Sequence, residues 1–278
     1  MHQIEPIPRH LRDRLEAAVD IARKTGSMLL GARLETRISR EKGLNDIVTE
    51  FDGAAERMIV GHLGQCFPED RFFGEEMGSS KDEGAGGRWI IDPIDGTVNF
   101  TRGMPNYTIS IAYEETQGEP VVGVVYNPVQ AELYTAVVDC GAFLNEVPIH
   151  VSEIDRPQES IAFTSLPHRT HTLAKPYLAI LDSLFLQTRE FRNLGSAALH
   201  MCYLASGRAD AFFEYGLHYY DIAAGMIILT EAGGTYGAFL PEARIPDNGD
   251  CVATNGLLQS WYTGEIRKVL KRLHAFHP

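Results

Sequence analysis

The stretch Trp89-Ile-Ile-Asp92-Pro-Ile-Asp95-Gly-Thr97-Val-Asn99-Phe100 decides how the rest of the chain is read. Trp89 to Ile91 is short, bulky and β-branched, which predicts a buried strand ending at Asp92. Pro93 fixes a turn, and Gly96 lets the backbone approach a ligand closely. A helix is predicted to start there, with free backbone N–H groups and a positive dipole end available to a phosphate. Asp92 and Asp95, three residues apart across the turn, can point into one cleft, where two carboxylates repel unless cations lie between them. Oxygen donors without histidine or cysteine suit Mg²⁺.

Working outward, further acidic stretches are Asp46-Ile-Val-Thr-Glu-Phe-Asp52, Gly74-Glu75-Glu76 and, after Glu214, Asp221-Ile-Ala-Ala-Gly225. Each falls where a strand or loop meets a helix. Singly, each has an ordinary explanation: Asp95 and Asp221 as helix N-caps, Glu75 and Glu76 as a solvated edge, Glu214 as a surface charge after a strand. His218, three residues before Asp221, reads as a polar wall residue, since hard Mg²⁺ does not need imidazole. His168 and His171 read as loop residues. Lys42 stays open between a surface lysine and a group approaching the metals or the phosphate.

Around these stretches, Leu11, Leu15, Ala18, Val19, Ala22, Leu29 and Leu30 predict an amphipathic helix to about Arg33, and Ala55, Met58, Ile59 and Leu63 a second one after Asp52. Strands are predicted over Trp89–Ile91, Thr108–Tyr113, Val121–Tyr126 and Leu133–Val138, with residues 78–87 as an exposed loop. Beyond Pro148, strands at 161–166, 188–191 and 211–213 interleave with helices at 174–185, 196–205, 221–232 and 257–273. The interleaving predicts α/β or α+β layers, in an N-terminal half 1–148 and a C-terminal half 149–278 that form one compact unit.

Composition narrows the function. The 278 residues carry a net charge of −12, which argues against direct binding to nucleic acid or an anionic membrane. Four scattered cysteines without a C-x-x-C pair read as thiols. The polar run Met1–Arg14 has no signal-like apolar core and no stretch approaches a membrane span, so a soluble cytoplasmic protein is expected.

Taken together, Lys42-Gly-Leu-Asn-Asp46-Ile-Val-Thr49-Glu-Phe-Asp52, Gly74-Glu-Glu76, Asp92-Pro-Ile-Asp-Gly-Thr97, Gly195-Ser-Ala-Ala198, Phe213-Glu214 and Asp221-Ile-Ala-Ala-Gly…Glu231-Ala-Gly-Gly234 resemble the bacterial type of the inositol monophosphatase family. These motifs span residues 42–234 in the family's order. The resemblance implies a layered α-β-α-β-α sandwich, a homodimer, and a Mg²⁺-dependent, lithium-sensitive hydrolase of a small phosphorylated polyol, foremost inositol 1- or 4-monophosphate. Carried over, Glu75, Asp92, the Ile94 carbonyl and Thr97 would surround one Mg²⁺, Asp92, Asp95 and Asp221 a second, and Glu75 would help with a third. Asp52 and Thr97 would activate the attacking water.

Substrate contacts would come from the same loop, Glu75, Ile94, Asp95, Gly96, Thr97 and Asp221, with Gly195, Ser196, Ala197 and Glu214 on the polyol side. Tyr220 departs from the family, where tryptophan commonly precedes the last metal aspartate, and puts the leaving-group pocket in question. Alternatives are the same hydrolysis of fructose 1,6-bisphosphate, 3′-phosphoadenosine 5′-phosphate or histidinol phosphate, or a regulatory binding protein on this fold. A nucleotide base would need an apolar shelf, which the sequence does not locate. Metal-assisted charge stabilisation is worth several kcal/mol, at tenfold in rate per ~1.4 kcal/mol. Asp92→Asn is therefore expected to lower phosphate release far more than Glu76→Gln, measured on folded variants.

Overall fold

The computed structural model describes residues 7–32, 39–43, 46–79, 86–115, 119–167, 171–240, 243, 245 and 249–276. Its centre is β5 (Arg88–Asp95), buried almost throughout. Around it an eight-stranded sheet runs in the spatial order β10 (Val147–Pro148), β9 (Ala142–Leu144), β8 (Glu132–Val137), β7 (Pro120–Asn127), β6 (Thr108–Glu114), β5, β3 (Arg71–Gly74), β4 (Gly78–Ser79). A five-stranded sheet follows the order β12 (Glu190–Arg192), β11 (Ile161–Thr164), β13 (Ala211–Tyr215), β15 (Asp250–Thr254), β14 (Thr235–Gly237). A short antiparallel pair, β1 (Ser39–Gly43) and β2 (Asp46–Thr49), precedes both.

Three apolar cores hold five layers together, the middle one covering both faces of the central helices. Side chains alternate along a strand, so Trp89 and Ile91 of β5 enter one core and Ile90 enters another. The first core packs α1 (Arg9–Gly31) and α2 (Glu50–Cys66) on the outer face of the large sheet. The middle one holds α5 (Ala197–Ala205) and α6 (Tyr219–Glu231) between the sheets. The third packs α4 (Ala174–Phe185) and α7 (Gln259–Phe276) on the far side of the small sheet. The expected α-β-α-β-α sandwich is therefore the observed fold. Among the described residues no helix is long and apolar enough to cross a membrane, and Cys66, Cys140, Cys202 and Cys251 are free thiols.

Several boundaries differ from the sequence reading, for physical reasons. β5 does not end at Asp92: it continues to Asp95 with a break in its register against β6, because Pro93 has no N–H to offer the ladder. α2 starts before Asp52, at Glu50, because Thr49 and Asp52 form a capping box that turns Asp52 into a first-turn residue. β15 escapes prediction because Asp250 to Thr254 is buried on every residue and shows no alternation. Of the stretch read as a loop, Gly78 and Ser79 form β4, while 80–85 lie outside the described residues, as do His168 and the side chain of Lys42.

His200 of α5 is fully buried, stacks on Phe163 at 4.8 Å, and accepts the Leu194 N–H at Nε2, 2.9 Å away. Burial pulls its pKa down to about 3. The unfolded chain takes up this proton near pH 6.5 and the folded protein does not, so the stability associated with the neutral ring is present above about pH 6.5 and is lost as pH falls towards 3. In urea titrations, the stability difference between pH 7 and pH 5 is expected to be roughly 2 kcal/mol smaller in His200→Gln than in the wild type.

Candidate active site

The C-terminal end of β5, the short helix α3 (Thr97–Arg102), the N-terminal ends of α5 and α6, and the end of β13 converge on one cavity of about 300 Å³. It is lined by Glu75, Asp92, Ile94, Asp95, Gly96, Thr97, Gly195, Ser196, Ala197, Glu214 and Asp221. Every residue expected at the site except Asp52 thus borders a single space, although they come from both halves of the chain. Gly96 makes the approach possible. Its φ is +96°, and a Cβ there would lie 2.9 Å from the Asn106 carbonyl oxygen and 3.0 Å from that of Gly195.

Asp52, Asp92, Asp95 and Asp221 accept hydrogen bonds from backbone and hydroxyl donors. Asp92 is 2% exposed and accepts the Ile94 N–H at 3.0 Å. Asp95 sits on the N-terminus of α5, where it accepts from Ser196 Oγ at 2.6 Å, Ala198 N at 2.7 Å and Ala197 N at 3.2 Å. Asp221 accepts the His218 N–H at 2.6 Å in the first turn of α6. Asp52 stands just behind the cavity wall. Its Oδ2 accepts from Thr49 N at 2.8 Å and Thr49 Oγ1 at 2.6 Å, and Oδ1 lies 3.2 Å from Thr97 Oγ1. The Thr97 hydroxyl is also 3.1 Å from the Ile94 carbonyl, and its single proton serves one of the two at a time.

Burial, followed by the charges of Glu75, Asp95 and Asp221, pushes the Asp92 carboxyl well above the usual carboxylate range. Burial also raises Asp95, against the opposing hydrogen bonds from α5, and Asp52, against those from Thr49. One carboxylate oxygen from each of Asp92, Asp95 and Asp221 lies within 4.8 Å of the others, and so does one from each of Asp52, Glu75 and Glu76. Both groups are hard oxygen sets able to hold divalent cations. Glu76 is therefore not remote from the site, and its mutation is a less neutral comparison for Asp92 than the sequence implies.

The structure adds residues that the sequence does not single out. Glu56 is fully buried on α2, one helical turn beyond Asp52, and accepts the Glu76 N–H at 3.3 Å. A Cβ on Gly74 would fall 1.6 Å from its Oε1, so any side chain there displaces the Glu56 carboxylate. An acid four positions after Asp52 on the apolar Ala55–Ile59–Leu63 face is the signal that could have found it. Asn99 Nδ2 donates to the Asn106 and Leu194 carbonyls, each at 2.6 Å, and so ties α3 to the turn before α5. Leu166, Pro167, Tyr215 and Leu217 give the outer cavity an apolar wall. Tyr220 stacks on His218 at 5.0 Å and meets Phe73 at 6.0 Å, so an aromatic packs immediately before Asp221.

Residues 10–271 match the Inositol monophosphatase family. The chain belongs to that family. Similar relatives include "Nus factor SuhB" of Haemophilus influenzae, 40% identical over 92% of this chain and 96% of the relative. An inositol-1-monophosphatase of Mesorhizobium japonicum is 38% identical over 82% and 86%. Among solved structures, a Thermotoga maritima IMPase superposes with a TM-score of 0.84 at 35% identity, covering 94% of this chain and 99% of that one. An inositol monophosphatase family protein has a phosphatase fold and depends on metal, and the two acidic groups are where metal could be held.

Ser196 both caps α5, accepting from Leu199 N at 3.2 Å, and donates to Asp95. Ser196→Ala is expected to lower stability by about 1–3 kcal/mol in urea denaturation, because a cap and a hydrogen bond to a buried charge are lost together.

Proposed function

We propose that this protein hydrolyses an inositol monophosphate, with Mg²⁺ bound by Glu75, Asp92, the Ile94 carbonyl, Asp95 and Asp221. The observation that carries this reading is the convergence of these groups on a cavity whose described lining contains no lysine, arginine or histidine. An anionic phosphate enters such a space only with cations. Two or three Mg²⁺ ions there would neutralise the phosphate, lower the pKa of a water and stabilise charge on the leaving oxygen.

The chain's own groups supply the rest. Thr97 Oγ1, in reach of Asp52 Oδ1, orients the attacking water, and the Asp52 carboxylate receives its proton. A raised Asp52 pKa brings this base closer to working pH. Water attacks phosphorus in line as the bond to the alcohol oxygen breaks, with no phospho-enzyme. Backbone N–H groups near Gly96 and Thr97 cradle the phosphate, and the Gly195–Ala197 turn borders the ring. Glu214, on the wall supplied by β13, accepts hydrogen bonds from the ring hydroxyls. Residues 1–148 bring most of the cation ligands, 149–278 complete the site, and the unit acts as a cytoplasmic homodimer.

Two observations support further readings. The apolar wall of Leu166, Pro167, Tyr215 and Leu217 is a shelf for a nucleotide base, which favours 3′-phosphoadenosine 5′-phosphate among the alternative substrates. Relatives bearing the name Nus factor favour a regulatory role beside catalysis or in place of it. Phosphate release from inositol 1-phosphate, fructose 1,6-bisphosphate, 3′-phosphoadenosine 5′-phosphate and histidinol phosphate, with and without Mg²⁺, separates these readings. Turnover of inositol 1-phosphate that is lost in EDTA and inhibited by Li⁺ is the expected result. Full activity in EDTA contradicts the cation reading, and no turnover of any ester favours the regulatory one.

Glu214→Ala is expected to lower kcat/KM for inositol 1-phosphate roughly ten- to hundredfold, the loss of charged hydrogen bonds, while leaving p-nitrophenyl phosphate nearly unaffected. An unchanged ratio of the two kcat/KM values counts against Glu214 as the polyol contact.

A further inference from the structure

A polar network outside the cavity, buried at Glu114 and Tyr219, joins the three elements that deliver its carboxylates. Arg88 opens β5, the strand that ends in Asp92 and Asp95. It faces Glu114, the last residue of β6, in register, and donates to Glu114 Oε1 at 2.5 Å. The second oxygen, Glu114 Oε2, accepts from Tyr219 Oη at 2.9 Å. Tyr219 is the first residue of α6, two positions before Asp221. The guanidinium also lies 6.0 Å from the Tyr219 ring and 5.6 Å from the Phe73 ring, and Phe73 leads directly into Gly74 and Glu75. Phe73 in turn contacts Tyr220 at 6.0 Å.

Glu114 is 3% exposed and Tyr219 7%, so neither can exchange its partner for water without the fold moving. The proposed activity does not use any of these groups. What the network does is fix the first turn of α6 against the start of β5 and the end of β6.

The geometry points to Tyr219 as a positioning residue that acts through Glu114 and Arg88 to hold Asp221 against Asp92 and Asp95 for cation binding. The inference rests on the cation reading of the cavity. Mg²⁺ demands near-octahedral geometry at short distances whereas Ca²⁺ accepts irregular sets, so slack in α6 should be felt by Mg²⁺ first. Without the Tyr219 hydroxyl, Glu114 Oε2 loses its donor, and the turn is released to shift or admit water.

The test is calorimetric titration of Mg²⁺ and of Ca²⁺ into chelator-stripped protein, with thermal unfolding in parallel. Tyr219→Phe is expected to weaken Mg²⁺ binding about five- to thirtyfold, the consequence of losing one hydrogen bond to a buried charge, and Ca²⁺ binding less. Tyr203→Phe removes a comparable bond, to Gln130 at 2.7 Å, at the surface, and is expected to bind Mg²⁺ like the wild type. Should Tyr219→Phe not fold, Glu114→Gln keeps the shape, removes the charge that fixes the tyrosine, and is expected to lose Mg²⁺ affinity in the same direction. Mg²⁺ affinity within twofold of wild type in Tyr219→Phe overturns the inference, as do equal losses in the two tyrosine variants or equal losses for the two cations. Wild-type protein that binds neither cation overturns the cation reading itself, a different result from wild-type binding that Tyr219→Phe leaves intact.

Discussion

Everything in this fold answers to one electrostatic difficulty: carboxylates from separate elements must be held close together away from bulk water. Left alone, buried like charges drive the elements apart or take up protons. The chain meets this with oriented dipoles. Asp95 lies on three donors at the N-terminus of α5, Asp52 closes a capping box with Thr49, and Asp221 accepts from the His218 backbone. The helices between the two sheets are thus more than filler, because their N-terminal ends face the acids that β5 brings forward.

This arrangement dissolves a choice that a linear reading has to leave open. An aspartate at a helix start is either a cap or a ligand when viewed alone. Here Asp221 and Asp52 are first-turn acids that bond the backbone before their helices, and they belong to the acidic groups at the cavity as well. The bond that orients the helix also orients the carboxylate.

How much of this is legible in one dimension follows from the kind of signal involved. The layered fold reads out because apolar runs such as Trp89–Ile91 and Thr108–Tyr113 are flanked by turn residues, and the acids read out because their types and spacing bear chemistry. Asp250–Thr254 carries no alternation because both of its faces are covered, so its strand is invisible to pattern. Asn99 and the Arg88–Glu114–Tyr219 network act across tens to more than a hundred positions of chain, and no spacing announces them, whereas Glu56 leaves only the faint mark of an acid on an apolar helix face. The reading of Ser196 and Ala197 as polyol contacts also misses their strongest partner, Asp95, which is a hundred residues away.

Asn99 shows what the arrangement implies for change over generations. Its one amide nitrogen spends both protons on carbonyls of two separate segments, beside a glycine that tolerates no side chain. At that end of the cavity a substitution disturbs several segments at once. The opposite rim is built differently: Leu166 is 43% exposed and follows a short strand. On the proposed function, a change in the recognised alcohol calls for substitutions at this rim alone, whereas a change beside Asn99 moves several segments at once.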